Sequence, residues 1–358
     1  MKKIISTIMA MSMMFSLAAC TGNGDTTTAG TSGTGTTTAG EAPKLSGTMK
    51  VVATSEDYQP LFDQFTEDTG VKVELLSMSS GEVLSKLRAE GGAPSADFWF
   101  GGGIDAFMSA QEDDLLEPVK FDGFDELAKE FREDDGHWFA KGLTIVGFLV
   151  NDKLLEEMNL DAPATWDDLL DPQYEGEIIM SNPAVSGTNY AVVNALLQTK
   201  GDEAGWKFFE DLNKNIAYYG KRGSDPLNKT IADEFPIGIS YIDRGVEALT
   251  EEYAVSIVYP SDGIPWVPEG VAVFKNAENV EAAKYFVEWL FTNDDHLRTL
   301  AEIDQKDGIK LVKPSITGVE LGYDSDILME EDLSLFGSLR TEILEKFEAL
   351  MGDKASDE

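Results

Sequence analysis

Two short stretches place hydroxyls and glycine where a helix is about to begin. Ser79-Ser80-Gly81 precedes the apolar-periodic run "EVLSKLRA", and Ser186-Gly187-Thr188 precedes "NYAVVNALLQ". A helix start leaves backbone N–H groups unpaired and carries the positive end of the helix dipole. Hydroxyls add donors there, and glycine leaves the backbone open, so an anionic group such as phosphate fits. The same residues are also good N-caps, which satisfy those N–H groups from within. Residue types alone leave both readings standing. Other stretches read as loops hold further polar groups: Ser55, Glu56 and Asp57 in "ATSED", Asp225 in "RGSDP", and Tyr241 and Asp243 in "SYIDR". These could hydrogen-bond sugar hydroxyls or an ammonium group, or could be solvated loop acids. Trp266 in "GIPWVPEG" offers a stacking face or a packed loop residue. Gly102, inside Gly101–Gly103, permits close backbone approach at a strand end.

The elements that must hold these residues follow from periodicity. "TMKVVAT", "VKVELLSM" and "ADFWFGGG" read as strands, each followed by a helix-period run. That alternation implies βαβ units and a parallel sheet, with ligands beyond the carboxyl ends of the strands, at loops 53–57, 77–81 and 100–103. "HWFAKGLTIVGFLVNDKLL" is a long β-prone run that could carry the chain out of a first domain. Beyond it come a strand "EIIMSN", helices "NYAVVNALLQTK" and "EAGWKFFEDLNK", a strand in "FPIGISYIDRG", and two strands around a Pro-rich loop in "AVSIVYPSDGIPWVPEGVAVFK". "NVEAAKYFVEWLFTNDDHLRTLAEI" predicts an amphipathic helix pair, and "LFGSLRTEILEKFEALMGD" a closing helix. Trp99 reads as core, and Tyr218-Tyr219 as packing at a strand end.

Several chemistries are disfavoured. There is no G-x-S-x-G, and the three glycines lack dinucleotide spacing. The two histidines fall outside the expected ligand loops: His137 beside Trp138, and His296 on a surface-like helix. The carboxylate pairs Asp134-Asp135 and Asp167-Asp168 sit in acid-rich turns and helix starts. The residues point to a binder rather than an enzyme, with no cofactor and no metal set. A formal charge of −37 argues against nucleic acid or anionic lipid as a partner.

The N-terminus gives an address. Lys2 and Lys3 precede a short apolar run ending "LAAC". This reads as a signal peptide over residues 1–19 and resembles a bacterial lipobox with lipid on Cys20, the chain's only cysteine. Residues 20–47, rich in Thr, Gly, Ala and Ser, read as a flexible tether. The expectation is a body of roughly 310 residues, about two domains by size, anchored in the cell membrane by lipid and facing the extracellular or periplasmic side.

At "FWFGGGIDAFMSAQEDDLLEP", "TWDDLLDPQYEGEIIMSNPAVSGTNY" and "NVEAAKYFVEWLFT", the chain resembles the extracellular solute-binding proteins of ABC importers. The subgroup it resembles includes ferric-iron, thiamine, hexose-phosphate and aminoethylphosphonate binders. The resemblance implies an α/β, two-lobe periplasmic-binding-protein fold, type II-like, with mixed β-sheets flanked by helices. It implies lobe one at 48–145 plus 262–358, lobe two at 146–261, and a hinge in "VGFLVND" and "IVYPSDG". It further implies a monomer that traps a small solute between the lobes and presents it to a membrane permease. Ferric-binding relatives use an adjacent Tyr-Tyr pair, often with a His from the first loop. Here Ile242 follows Tyr241 and the first loop has no His, which breaks that set. Tyr241 with Asp243 or Glu56 would still offer oxygen ligands. Hexose-phosphate and aminoethylphosphonate binders carry similar Ser-Gly-Thr helix starts. The expected solute is therefore a phosphorylated or phosphonate compound, held by two seats without any Arg. Ferric iron is the alternative, and thiamine, stacked on Trp266 or Tyr241, is the other.

Overall fold

A computed structural model describes residues 45–354. The signal-peptide region, Cys20 and nearly all of the 20–47 stretch lie outside the described residues. The strands are β1 (Thr48–Ala53), β2 (Lys72–Ser77), β3 (Phe98–Gly103), β4 (Leu116–Glu117), β5 (Phe139–Asn151), β6 (Ile178–Ser181), β7 (Ile216–Gly220), β8 (Ile237–Ile242), β9 (Val255–Val258) and β10 (Trp266–Phe274). The helices of the first half are α1 (Gln59–Thr69), α2 (Ser80–Ala89) and α3 (Ile104–Glu112). Then come α4 (Asp152–Met158), α5 (Gly187–Lys200), α6 (Asp202–Asn215), α7 (Asp225–Ile231) and α8 (Arg244–Leu249). The chain closes with α9 (Val280–Thr292), α10 (Asp294–Asp304), α11 (Ile309–Val312), α12 (Ser334–Ser338) and α13 (Arg340–Met351). Among the described residues no helix is long and apolar enough to cross a membrane.

All ten strands join one mixed sheet with the path β2-β1-β3-β10-β5-β8-β6-β7, β4 pairing with β10 and β9 with β5. The hinge strand explains this continuity. β5 is 13 residues long and buried throughout. Its first half, Phe139 to Ile145, pairs with β10, and from Ile145 onward it pairs with β8. Both pairings are antiparallel, and β3 is antiparallel to β10. β3 therefore runs with β5 and β8 runs against it, so the carboxyl ends of the two sheet halves meet head-on. Gly103 faces Glu269, Glu269 faces Gly142, and Ile242 faces Ile145. Strand-end loops from both halves converge over a few residues of β5.

The two faces of the sheet are covered differently. One carries Trp99, Val146, Phe148, Ile178, Ile239 and Val267 under α2, α3, α5 and α6. The other carries Met49, Val51, Phe98, Phe100 and Val271 under α1, α9 and α10. Each fully buried Phe of this kind contributes on the order of 1.5–3 kcal/mol of transfer free energy. Trp99 stacks on Phe107 at 3.9 Å, as a core residue should. Tyr219 is buried in β7 with its hydroxyl on Asn213. Two expectations change. The closing helix is broken at Leu339 into α12 and α13, and Phe347 of α13 packs against Phe209 and Tyr219 of the second half. His296 is buried rather than surface-facing, because its ring stacks on Trp289 at 3.7 Å and its Nδ1 reaches the Trp289 carbonyl.

Candidate functional site

A cavity of about 390 Å³ opens where the strand ends meet. That volume suits a small organic solute. Ser55, Ser79, Ser80, Gly102, Ser186, Gly187, Thr188, Tyr241 and Asp243 all line it, with Asp57 from the first loop. Glu56, Asp225 and Trp266 do not. Glu56 is exposed in the turn after Ser55. Asp225 turns its carboxylate back to accept from the backbone N–H groups of Lys221 and Arg222. Trp266 faces a different depression, near Phe131 and Met329, where its indole N–H donates to the Met329 carbonyl. Its neighbour Val267 lines the cavity instead.

The two helix starts are built locally. Ser79 caps α2 in a reciprocal arrangement with Glu82, whose carboxylate accepts from the Ser79 N–H at 2.9 Å and the Ser79 hydroxyl at 2.7 Å. Ser186 caps α5 by accepting from the Asn189 N–H at 3.3 Å. The hydroxyls of Ser80 and Thr188, one residue or two farther in, have no hydrogen-bond partner among the described residues and line the cavity. The capping hydroxyls are thus engaged within the helix start, and the free ones lie one or two residues farther in. Glycine lets the two starts approach: a Cβ on Gly81 would lie 2.1 Å from the Ala184 carbonyl oxygen, and one on Gly187 would lie 2.8 Å from the Gly103 nitrogen. Gly102 has φ +98°, and a Cβ there would meet the Ser80 side chain at 2.6 Å.

Sequence reasoning missed two parts of the lining. The first is Arg222, in the loop after β7, beside the Asp225 that holds its backbone. Its guanidinium makes no ion pair among the described residues, so the expectation of a cavity without Arg is corrected. The signal was in "KRGSDP", where Asp225 drew attention from its neighbour. The second is the floor. Lys141 Nζ bonds Glu269 Oε2 at 2.6 Å and Asp304 Oδ2 at 2.5 Å. Lys306 Nζ bonds Glu269 Oε1 at 2.6 Å and Thr144 Oγ1 at 3.0 Å. Thr144 also donates to Glu269, and Tyr58 donates to Asp304 at 2.5 Å. Two cations and two carboxylates make the group neutral.

Electrostatics follow from that pairing. Burial opposes ionisation of Glu269, but Lys141 and Lys306 outweigh it and hold the carboxyl well below its usual range. Burial likewise opposes charge on Lys141 and Lys306, and the carboxylates win, keeping both ammonium groups charged. Asp243 is different. Burial raises its pKa, Lys306 and the Val246 N–H offset only part of that, and Glu269 and Asp304 add to the rise. Tyr241 is raised by burial and by Asp243.

Comparison with known proteins agrees with this architecture. The family model for bacterial extracellular solute-binding proteins matches residues 95–304. An uncharacterised protein of Haemophilus influenzae is 31% identical over 235 residues, covering 64% of this chain and 68% of that protein. Iron uptake protein A1 of Synechocystis is 26% identical over 247 residues, covering 64% and 66%. The periplasmic binding protein AfuA of Actinobacillus pleuropneumoniae, solved with fructose-6-phosphate bound, superposes with a TM-score of 0.76 at 25% identity over 85% of this chain and 98% of that one. A two-lobe α/β fold with its cavity at opposed strand ends, together with these matches, places the chain in the family of bacterial extracellular solute-binding proteins that serve ABC importers.

Proposed function

We propose that this protein captures a small phosphorylated or phosphonate compound, a hexose phosphate or aminoethylphosphonate, and hands it to the permease of an ABC importer. The observation that carries the reading is the convergence on one cavity of the α2 and α5 starts with Ser80, Thr188 and Arg222, whose hydroxyls and guanidinium have no hydrogen-bond or ion-pair partner among the described residues. Two helix dipoles and a guanidinium favour an anion at that point. Asp57, Tyr241 and Asp243 would then hydrogen-bond the rest of the solute. The likeness to AfuA, whose structure holds fructose-6-phosphate, supports this class of solute.

In this proposal residues 48–145 with 262–358 form lobe one and 146–261 form lobe two, the closing helix α13 reaching across to α6. Rotation about β5 and the 257–263 segment closes the lobes on the solute. The solute drives closure only through its higher affinity for the closed arrangement. Lipid on Cys20 and the 20–47 tether would hold a monomeric body near the permease.

Titration of the purified protein with hexose phosphates, aminoethylphosphonate and inorganic phosphate tests the reading. A ligand at a hundredfold excess over its dissociation constant should stabilise the fold by about 2.7 kcal/mol. The stabilisation should shrink clearly in Thr188→Ala or Arg222→Ala at the same ligand concentration. A second reading, ferric iron, is favoured by Tyr241 and Asp243 sharing the cavity. Against it, Glu56 does not line the cavity, and Glu269 and Asp304 are already paired with lysines. A visible tyrosinate-to-iron band, with no response to phosphorylated compounds, would replace the first reading by the second.

A further inference from the structure

Arg244 is one of the side chains that tie the two sides of the cavity together at its rim. Arg244 follows Asp243 at the start of α8, in the half that contains β8. Its partners all lie in the last turn of α10 and the loop after it, in the other half. The Arg244 backbone N–H donates to the Gln305 carbonyl at 3.0 Å. Its Nη2 donates to the Ala301 carbonyl at 3.0 Å. Its Nη1 lies 3.5 Å from Glu302 Oε1, and its Nε lies 3.6 Å from Asp307 Oδ1. The turn is held in shape for this: Gln305 takes a left-handed conformation at φ 57° and closes α10 on the Ala301 carbonyl.

The residues on either side of this clasp line the cavity. Tyr241 and Asp243 lie immediately before Arg244, and Lys306 lies between Gln305 and Asp307. Drawing the two loops together sets the Lys306 ammonium 5.9 Å from the Tyr241 ring centroid. We propose that Arg244 is the positioning residue that joins the two halves of the solute site, pulling the 301–307 turn onto the Tyr241–Asp243 loop. It touches no residue of the α2 and α5 starts, so its role is separate from recognition of an anion. The proposal rests on this cavity being the solute site and not on which solute it takes. Its side chain is 38% exposed, so salt can reach its ion pairs.

The test measures the distance between the halves without any solute. Cysteines introduced at the exposed positions Glu74 and Asn228, in a Cys20→Ser background, carry a fluorophore pair. Arg244→Ala is expected to lengthen and broaden the distance distribution, with Arg244→Lys intermediate. Raising salt to about 1 M should move the parent protein the same way, because the Debye length there is about 3 Å. Should Arg244→Ala fail to fold, Glu302→Gln with Asp307→Asn removes the same ion pairs from the other side and decides the question. An unchanged distance in the folded variant overturns the proposal, whatever the solute titrations give.

Discussion

The cavity has two kinds of wall. Around the starts of α2 and α5, the side chains of Ser80, Thr188 and Arg222 have no partner among the described residues. At the floor, Lys141, Glu269, Lys306, Asp304, Thr144 and Tyr58 are bonded to one another in an unbroken chain. Both are polar, and both lie at the same meeting of strand ends. Recognition and structure separate here by whether a polar group already has a partner. A group already satisfied inside the protein has little to gain from a ligand, whereas a cavity group without a protein partner exchanges water for the ligand at a net gain of about 0.5–1.5 kcal/mol, more where a charge is involved. Lys141, with no exposed side-chain surface, belongs to the fold, and in the proposed function Arg222 serves the solute.

The largest expected effect breaks the floor. Lys141→Met leaves Asp304 and Glu269 short of a buried cation, a loss of roughly 3–5 kcal/mol by analogy with broken buried pairs. Chemical denaturation at neutral pH measures it. The sign with pH follows from Glu269, whose folded pKa is depressed. Its contribution is complete above the ordinary carboxylate range, about 4.3, and is lost as pH falls through the folded value. The gap between parent and variant should therefore narrow in acid. A loss below about 1 kcal/mol would mean the floor is not structural, and the comparison would fail.

Gly81→Ala attacks the junction between the two helix starts. The new Cβ would sit 2.1 Å from the Ala184 carbonyl oxygen, and both partners are backbone. One side must move, at a cost of roughly 1–3 kcal/mol. The movement carries Val185, Ser186 and the first turn of α5 with it, so solute binding should weaken along with stability. Binding that survives intact would show that the α5 start is not held by this contact.

Arg222→Ala sharpens the comparison by separating the two properties. Stability should stay within about 0.5 kcal/mol, as for a surface side chain without internal partners. Affinity for a phosphorylated solute should fall by about 1.5–3 kcal/mol, the scale of a hydrogen bond to a charged group, or roughly 10- to 150-fold. Calorimetric titration beside a melting curve reads both. Lost stability with retained affinity would reverse the assignment of this wall.

This division explains what the sequence disclosed. The helix starts were legible because a cap is local: Ser79 with Glu82, and Ser186 with Asn189, each lie three residues apart. The strand-end loops were legible from alternating strands and helices. The floor was not, because Lys141 meets Glu269 across 128 residues and Asp304 across 163. No periodicity records such pairings. Trp266 was misplaced by one step of strand parity. Successive residues face opposite sides of a sheet, so Val267 and Glu269 line the cavity and Trp266 lies behind it. Leu339, at φ −98° and ψ −1°, breaks a helix that its amphipathic pattern would continue, as α12 packs Gly337 against Met108 while α13 turns to α6.

The smallest effect concerns the residue that stands between the two walls. Asp243 lines the cavity, caps α8 through the Val246 N–H at 2.8 Å, and feels Lys306 on one side and Glu269 with Asp304 on the other. Its folded pKa is raised, chiefly by burial. The folded state then holds the proton more tightly than the unfolded state, so this group's contribution to stability falls as pH rises through the unfolded value and on to the folded one. At neutral pH the charged carboxylate is a net cost in the free protein. Asparagine keeps an oxygen to accept from Val246 and removes the charge. Asp243→Asn should therefore melt slightly higher than the parent at neutral pH, and the difference should vanish near pH 3, where both side chains are uncharged. A variant less stable at neutral pH would show that attraction to Lys306 outweighs burial. Asp243 would then count as a member of the floor rather than a group held ready for the solute.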